Sequence, residues 1–375
     1  MLLDLLRDLV AIDSVNPGLV PGARGEADIA AHCAAWLRRE GFDVEVQEAA
    51  PGRPNVIGVL EGATPGRSLM FCGHIDTVGV DGMAAPFTPD VRNGRLYGRG
   101  SQDMKGGVAA MMDAARRAKE QWTSGRLIVA CVCDEEFESI GAQALVKSWT
   151  ADAAVVTEPT DLSVAITHKG FAWIQIDTRG RAAHGSRPAE GRDAILRMGR
   201  VLARLERLGV DLSRRDADPL TGPPSLHASI IEGGREWSSY PDACQLKVER
   251  RTVAGETDAQ VMAEIEAILS DLEAADSEFE AAAELVASRA PYALDAGHEL
   301  PVSLASLARA RGAAGDIAGM SFWTDAAILG EAGIPSVLFG PGGAGLHSAE
   351  EYVTLSDVED CATVLRDLAE KWGRV

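Results

Sequence analysis

Ser68-Leu-Met-Phe-Cys-Gly-His74-Ile-Asp76 decides the fold. The run Ser68–Gly73 reads as a buried strand, and the first strongly polar side chains, His74 and Asp76, stand at its carboxyl end. Positions two apart on an extended chain share a face, so Asp76 is placed to orient the imidazole and raise its basicity. The same order, an apolar run and then His or carboxylate, recurs three times. Leu127–Cys133 ends in Asp134-Glu135-Glu136, and Ala153–Thr157 ends in Glu158-Pro159. Ser336–Phe339 leads through Gly340-Pro-Gly-Gly343 to His347. Sites in open α/β sheets assemble at the carboxyl ends of strands, so these four runs point to one shared edge.

Working outward, further strands are expected at Val44–Gln47 and Asn55–Leu60. Helices are expected at Glu26–Glu40, Gly107–Lys119, Gly141–Trp149 and Leu355–Trp372. Alternation of this kind predicts an α/β layer with a largely parallel sheet. The middle follows a different order: strand Phe171–Thr178, helix Arg192–Leu208, strands Leu226–Ile231 and Gln245–Arg251, helix Asp258–Leu272, strand Phe279–Ala287. That βαββαβ succession is the ferredoxin-like, α+β arrangement. The expected fold class is therefore α/β: a mixed-sheet domain built from residues 1–168 and 288–375, interrupted by an inserted α+β domain at 169–287.

The whole chain narrows the choices. At 375 residues it exceeds one small core. A formal net charge of -20 leaves no general basic surface, so no nucleic-acid partner is expected. Asp4, Arg7 and Asp8 interrupt the apolar start, which reads as an amphipathic helix rather than a signal peptide. No membrane span is expected either. The six cysteines lie in apolar stretches and read as free thiols of a cytoplasmic protein.

One more segment completes the constellation: Gly98-Arg-Gly-Ser-Gln-Asp103-Met-Lys-Gly-Gly107, a tight turn presenting one carboxylate before a helix. It lacks the Gly-Lys-Ser/Thr of a phosphate loop and puts Asp103 where phosphate would be repelled. Taken singly, His74 could be a core histidine and Glu135-Glu136 a charged helix start. Together, His74, Asp103, Glu136, Glu158 and His347 read as metal ligands. Three carboxylates carry -3, which overcharges one divalent ion but leaves +1 with two. If Asp103 bridges, each ion has three protein ligands and an open position, as catalytic zinc requires. Mixed N/O donors without thiolate suit two zinc ions, with cobalt or manganese as possible substitutes.

These motifs resemble, essentially from end to end, the zinc metallopeptidase family of acetylornithine deacetylase, succinyl-diaminopimelate desuccinylase, aminoacylase and glutamate carboxypeptidase. Gly73-His74-Ile-Asp76-Thr-Val78 is similar to its first metal motif, and Gly98–Gly106 to its bridging-aspartate motif. The resemblance implies one metal on His74, Asp103 and Glu158 and the other on Asp103, Glu136 and His347. It further implies Glu135 as general base and a cis peptide after Asp103. Ala183-His184-Gly-Ser-Arg-Pro188 is similar to the family's lid motif, in which the histidine reaches the partner subunit's site and stabilises the oxyanion. A homodimer is implied. Asp193 stands where the family usually has Asn, and Phe322-Trp323-Thr324-Asp325-Ala326 departs from the commoner Gly-Gly-Thr-Asp-Ala form.

The catalytic candidates are thus Asp76, Glu135 and His184, and the substrate-binding candidates are Arg251, Arg289 and Asp325. The expected substrate is a small N-acyl amino acid, with a dipeptide next. A metal-binding homologue without catalysis would have no need of Glu135. A nucleotide-binding oxidoreductase would need a strand–Gly-x-Gly-x-x-Gly–helix unit that the chain lacks.

Overall fold

The computed structural model describes residues 1–374 and divides into two compact units. One comprises residues 1–166, 294–318 and the chain from 324 on; the other comprises 167–293 and 319–323.

In the first unit a mixed sheet runs in the order Asp43–Ala50, Arg53–Glu61, Ser124–Val132, Thr64–His74, Ala153–Val156, Ser336–Leu338, Val164–His168. The parallel part is confined to the four strands from Ser124–Val132 to Ser336–Leu338. Asp43–Ala50, Arg53–Glu61 and Val164–His168 pair antiparallel. Connection length explains the mixture. Pro51-Gly52 is too short for anything but a hairpin, whereas the helices Gly106–Ala118 and Ile140–Ser148 supply the crossovers that parallel neighbours need. Central parallel strands are covered on both faces, and Ala153–Val156 is buried throughout. The helix Leu2–Ala11 turns Leu2, Leu5, Leu6, Leu9 and Val10 inward, a helical-period stripe that joins the same core. Because the four parallel strands run the same way, the residues that follow them emerge at one edge.

The second unit is a four-stranded antiparallel sheet ordered Ser225–Gly233, Ala243–Thr252, Gly170–Arg179, Glu280–Arg289. Numbered along the chain this is 2-3-1-4, the ferredoxin-like order. Alternate residues Cys244, Leu246 and Val248 of one strand and Ala172, Ile174 and Ile176 of another pack with the helices Ala194–Leu212 and Asp258–Ala275. Asp193 caps the first helix, accepting from Leu196 N at 2.9 Å, a task Asp performs as well as Asn. Thr257 and Gln260 form a capping box on the second. The unit extends beyond 169–287 because Tyr292-Ala293 pairs with Thr167-His168, and Lys169 N donates to Met320 O at 3.2 Å.

All six cysteines are free and buried. Among the described residues no helix is long and apolar enough to cross a membrane.

Candidate metal centre

His74 is the last residue of its strand and is 1% exposed. Glu158 follows Ala153–Val156 by two residues, and Glu135-Glu136 follow Ser124–Val132. Asp103 sits in the glycine-rich turn just before the helix Gly106–Ala118, and its peptide to Met104 is cis. His347 lies in the loop after Ser336–Leu338, in a left-handed backbone conformation with φ 57°. Two glycines allow these segments to close up. A Cβ on Gly107 would lie 1.9 Å from the Thr157 carbonyl oxygen, and one on Gly340 would lie 2.2 Å from that of Glu158. Only Gly fits such backbone approaches.

The five side chains form two trios that share Asp103. In the first, His74 Nε2 is 3.0 Å from Asp103 Oδ1 and 3.9 Å from Glu158 Oε1. In the second, His347 Nε2 is 3.3 Å from Asp103 Oδ2 and 3.2 Å from Glu136 Oε2. Within each trio the donor atoms lie within 4.8 Å of one another, so each could hold a metal ion. The two oxygens of Asp103 face different trios, the arrangement of a bridging carboxylate.

The electrostatics fit cations. Burial, and then the charge of Glu158, push Glu135 well above the ordinary carboxylate range; burial also raises Glu158 and Glu136. Burial works against charge on His74, but contacts with Asp103 and Asp76 carry it well above its usual value. His347 is raised to about 10 by hydrogen bonds with Asp103 and Glu136. Glu136 Oε1 is buried without a hydrogen-bond partner among the described residues. Crowded carboxylates and an orphaned oxygen are what a divalent ion would satisfy. The donor set of imidazole and carboxylate suits zinc.

Asp76, 0% exposed, contacts more than the histidine. Its Oδ1 is 3.4 Å from His74 Nδ1, while Nδ1 also meets the Asp76 carbonyl at 3.1 Å. The same carboxylate accepts from Glu135 N at 3.1 Å, Glu136 N at 3.2 Å and Asn16 Nδ2 at 2.7 Å. Asn16 Nδ2 also donates to Asp134 at 3.0 Å. Arg53 donates to Asp134 at 2.7 Å and to the buried Glu26. Sequence reasoning missed Asn16, Glu26, Arg53 and Asp134. The position of Asp134 directly before Glu135 was the only available signal. Arg99 and Glu351, also missed, lie buried beside the Asp103 turn.

Asp325 is 1% exposed in the first unit, and its charge contributes to the upward shifts of Glu135 and Glu158. The other candidates belong to the second unit. His184 is exposed, and Ser186 N donates to its Nδ1 at 3.2 Å, which leaves Nε2 as the ring's donor in the neutral form. Arg251 donates to Glu249 at 2.6 Å and lies over the Phe171 ring. Arg289 lies 5.6 Å from the Trp323 ring centroid, and Trp323 Nε1 donates to Ala290 O at 3.1 Å.

Comparison with known proteins adds four findings. The model of peptidase family M20/M25/M40 matches residues 70–371. Acetylornithine deacetylase of Myxococcus xanthus is 33% identical over 96% of this chain and 94% of its own. An N-formyl-4-amino-5-aminomethyl-2-methylpyrimidine deformylase of Bacillus subtilis is 29% identical over 94% and 91%. Among solved structures, a tripeptidase of Staphylococcus aureus has a TM-score of 0.81 at 21% identity, covering 100% of this chain and 98% of that one, and so shares the fold.

Proposed function

This chain belongs to peptidase family M20/M25/M40, and from that premise we propose that it is a dinuclear zinc hydrolase cleaving the amide of a small N-acyl amino acid. It is a hydrolase of amide bonds by family. The observation that carries the finer reading is the pair of trios sharing Asp103. The acyl-group assignment is supported by two relatives that, by name, remove an acetyl and a formyl group.

His74, Asp103 and Glu158 would hold one ion, and Asp103, Glu136 and His347 the other. Bound there, the ions supply the acidity that makes water a nucleophile near neutral pH and the positive charge that polarises a carbonyl. Glu135 takes the proton from the attacking water and returns it to the leaving nitrogen. Its backbone N–H, tied to Asp76, keeps the carboxylate aimed at one place. His184 donates through Nε2 to the developing oxyanion, coming from the second copy of a homodimer. Support for the dimer comes from the strand Ser225–Gly233, which edges its sheet with Ile230 and Ile231 half exposed. Arg251 or Arg289 holds the substrate carboxylate as a bidentate fork, and Asp325 is a further substrate-binding residue. Free, buried cysteines suit a reducing compartment, and we place the enzyme in the cytoplasm.

The test combines metal analysis with a panel of N-formyl, N-acetyl and N-succinyl amino acids and dipeptides. Two metals per chain and faster turnover of an N-acyl amino acid than of any dipeptide are expected. Active protein with fewer than two metals sinks the dinuclear scheme. Glu135→Gln should keep its metals and lose about 10²–10⁴ in kcat, and retained activity would remove Glu135 as the base.

A further inference from the structure

Glu351 lies four residues beyond His347 and is 1% exposed. Its carboxylate accepts four hydrogen bonds. Oε1 takes the N–H groups of Gln102 at 2.9 Å and Asp103 at 3.2 Å. Oε2 takes Gly100 N at 3.1 Å and Arg99 Nη1 at 2.6 Å. Arg99, 2% exposed, extends the contact in two further directions. Its Nε donates to Gly79 O at 3.0 Å and its Nη2 to Ser348 O at 3.1 Å. One buried ion pair is therefore bonded to the main chain of three loops: the one after His74, the one carrying Asp103, and the one carrying His347.

The Asp103 turn needs such a partner. Ser101 N and Lys105 N reach the Gly98 and Gly100 carbonyls within the turn, whereas the N–H groups of Gly100, Gln102 and Asp103 go to Glu351. A neutral acceptor would serve that need alone. A charged pair costs desolvation on burial, and a buried ion pair is often no more stabilising than apolar residues of similar volume. What the pair adds is direction: the carboxylate plane and the guanidinium fork fix where each loop lies relative to the other two.

We propose that Glu351 and Arg99 are positioning residues of the metal centre, clamping the Asp103 backbone so that its two carboxylate oxygens face His74 and His347. The proposal rests on the two-metal reading. Partners that orient ligands through a second layer of hydrogen bonds change metal affinity or activity by about 10–100-fold when replaced.

The experiment titrates metal-free protein with Co²⁺ and follows its visible absorption, beside urea denaturation of the same metal-free samples. Glu351→Gln keeps the side chain's shape but turns one acceptor oxygen into an NH₂ facing backbone donors. A fall of about 10–100-fold in Co²⁺ affinity is expected, with an altered spectrum. Arg99→Lys keeps the charge and loses the fork to Gly79 and Ser348, and it should act in the same direction. It carries the test if Glu351→Gln fails to fold. Glu359→Gln, which breaks the exposed pair with Arg117, is the control and should leave affinity unchanged. Variants that match wild type in affinity and spectrum, differing only in stability, overturn the clamp alone. Wild-type protein that takes up no Co²⁺ overturns the two-metal reading and the clamp together.

Discussion

Replacing Asp76 by Asn tests how far the site depends on a residue that is not among its proposed ligands. Asp76 Oδ2 accepts from Asn16 Nδ2 at 2.7 Å and from Glu136 N at 3.2 Å. Oδ1 accepts from Glu135 N at 3.1 Å and faces His74 Nδ1 at 3.4 Å. An amide offers one oxygen. Turned either way, its nitrogen meets at least one of these donors head-on, in a place closed to water. One buried donor left unsatisfied costs about 1–3 kcal/mol. The surviving bonds also drop from charge-assisted to neutral, roughly halving their strength. Together these losses come to about 3 kcal/mol. The displaced groups are the N–H groups of the proposed base and of a proposed ligand, so function should suffer as well. Metal affinity should fall by about 10–100-fold. A shift of Glu135 by about 1 Å would lower kcat by a further factor of roughly 100. Urea denaturation of metal-free protein, a metal titration and steady-state kinetics on one preparation give all three numbers. A variant that loses less than about 1 kcal/mol and keeps its metal affinity within about twofold would refute the reasoning.

Two other outcomes follow from the second unit. His168 is buried between Tyr292 and Trp323, and burial pushes it down to about 4. An unfolded histidine titrates near 6.5, so between about 6.5 and 4 the unfolded chain binds a proton that the folded chain does not. Stability should therefore fall with acid through that window, by roughly 3 kcal/mol in all. His168→Phe should flatten that slope in urea curves taken from pH 4 to 7, and superimposable profiles would remove His168 as its source. Ile231→Lys, at the half-exposed edge strand, should give a monomer by sedimentation and lower kcat about 10²–10³-fold through loss of the partner's oxyanion donor. A fully active monomer refutes donation of His184 from the second copy.

Strand-end patterning made the first unit legible. Apolar runs closing on His74, Glu136, Glu158 and His347 can be read from neighbours in the chain, because a buried parallel strand is apolar throughout and its first polar residue marks the end. The hairpin of Asp43–Ala50 with Arg53–Glu61 was less legible as antiparallel, since pairing direction depends on connection length rather than on strand composition. In the second unit, the βαββαβ order could be read from alternating periods. The return of Gly319–Trp323 to that unit could not, because it depends on Lys169 meeting Met320 across a long stretch of chain.

By itself the sequence determined which residue types stand at which strand ends, and so the chemistry available: imidazole and carboxylate donors, a spare glutamate beside a ligand, and no thiolate. Only the tertiary structure decided their arrangement. It turned the two oxygens of Asp103 toward separate histidines and set Asp76 against the backbone of Glu135 and Glu136. It also drew Asn16, Arg53, Arg99 and Glu351 in behind them. The reason is physical. A strand's composition is dictated locally by burial, whereas a buried polar group is satisfied by whatever donor or acceptor the fold brings within about 3 Å, regardless of distance along the chain.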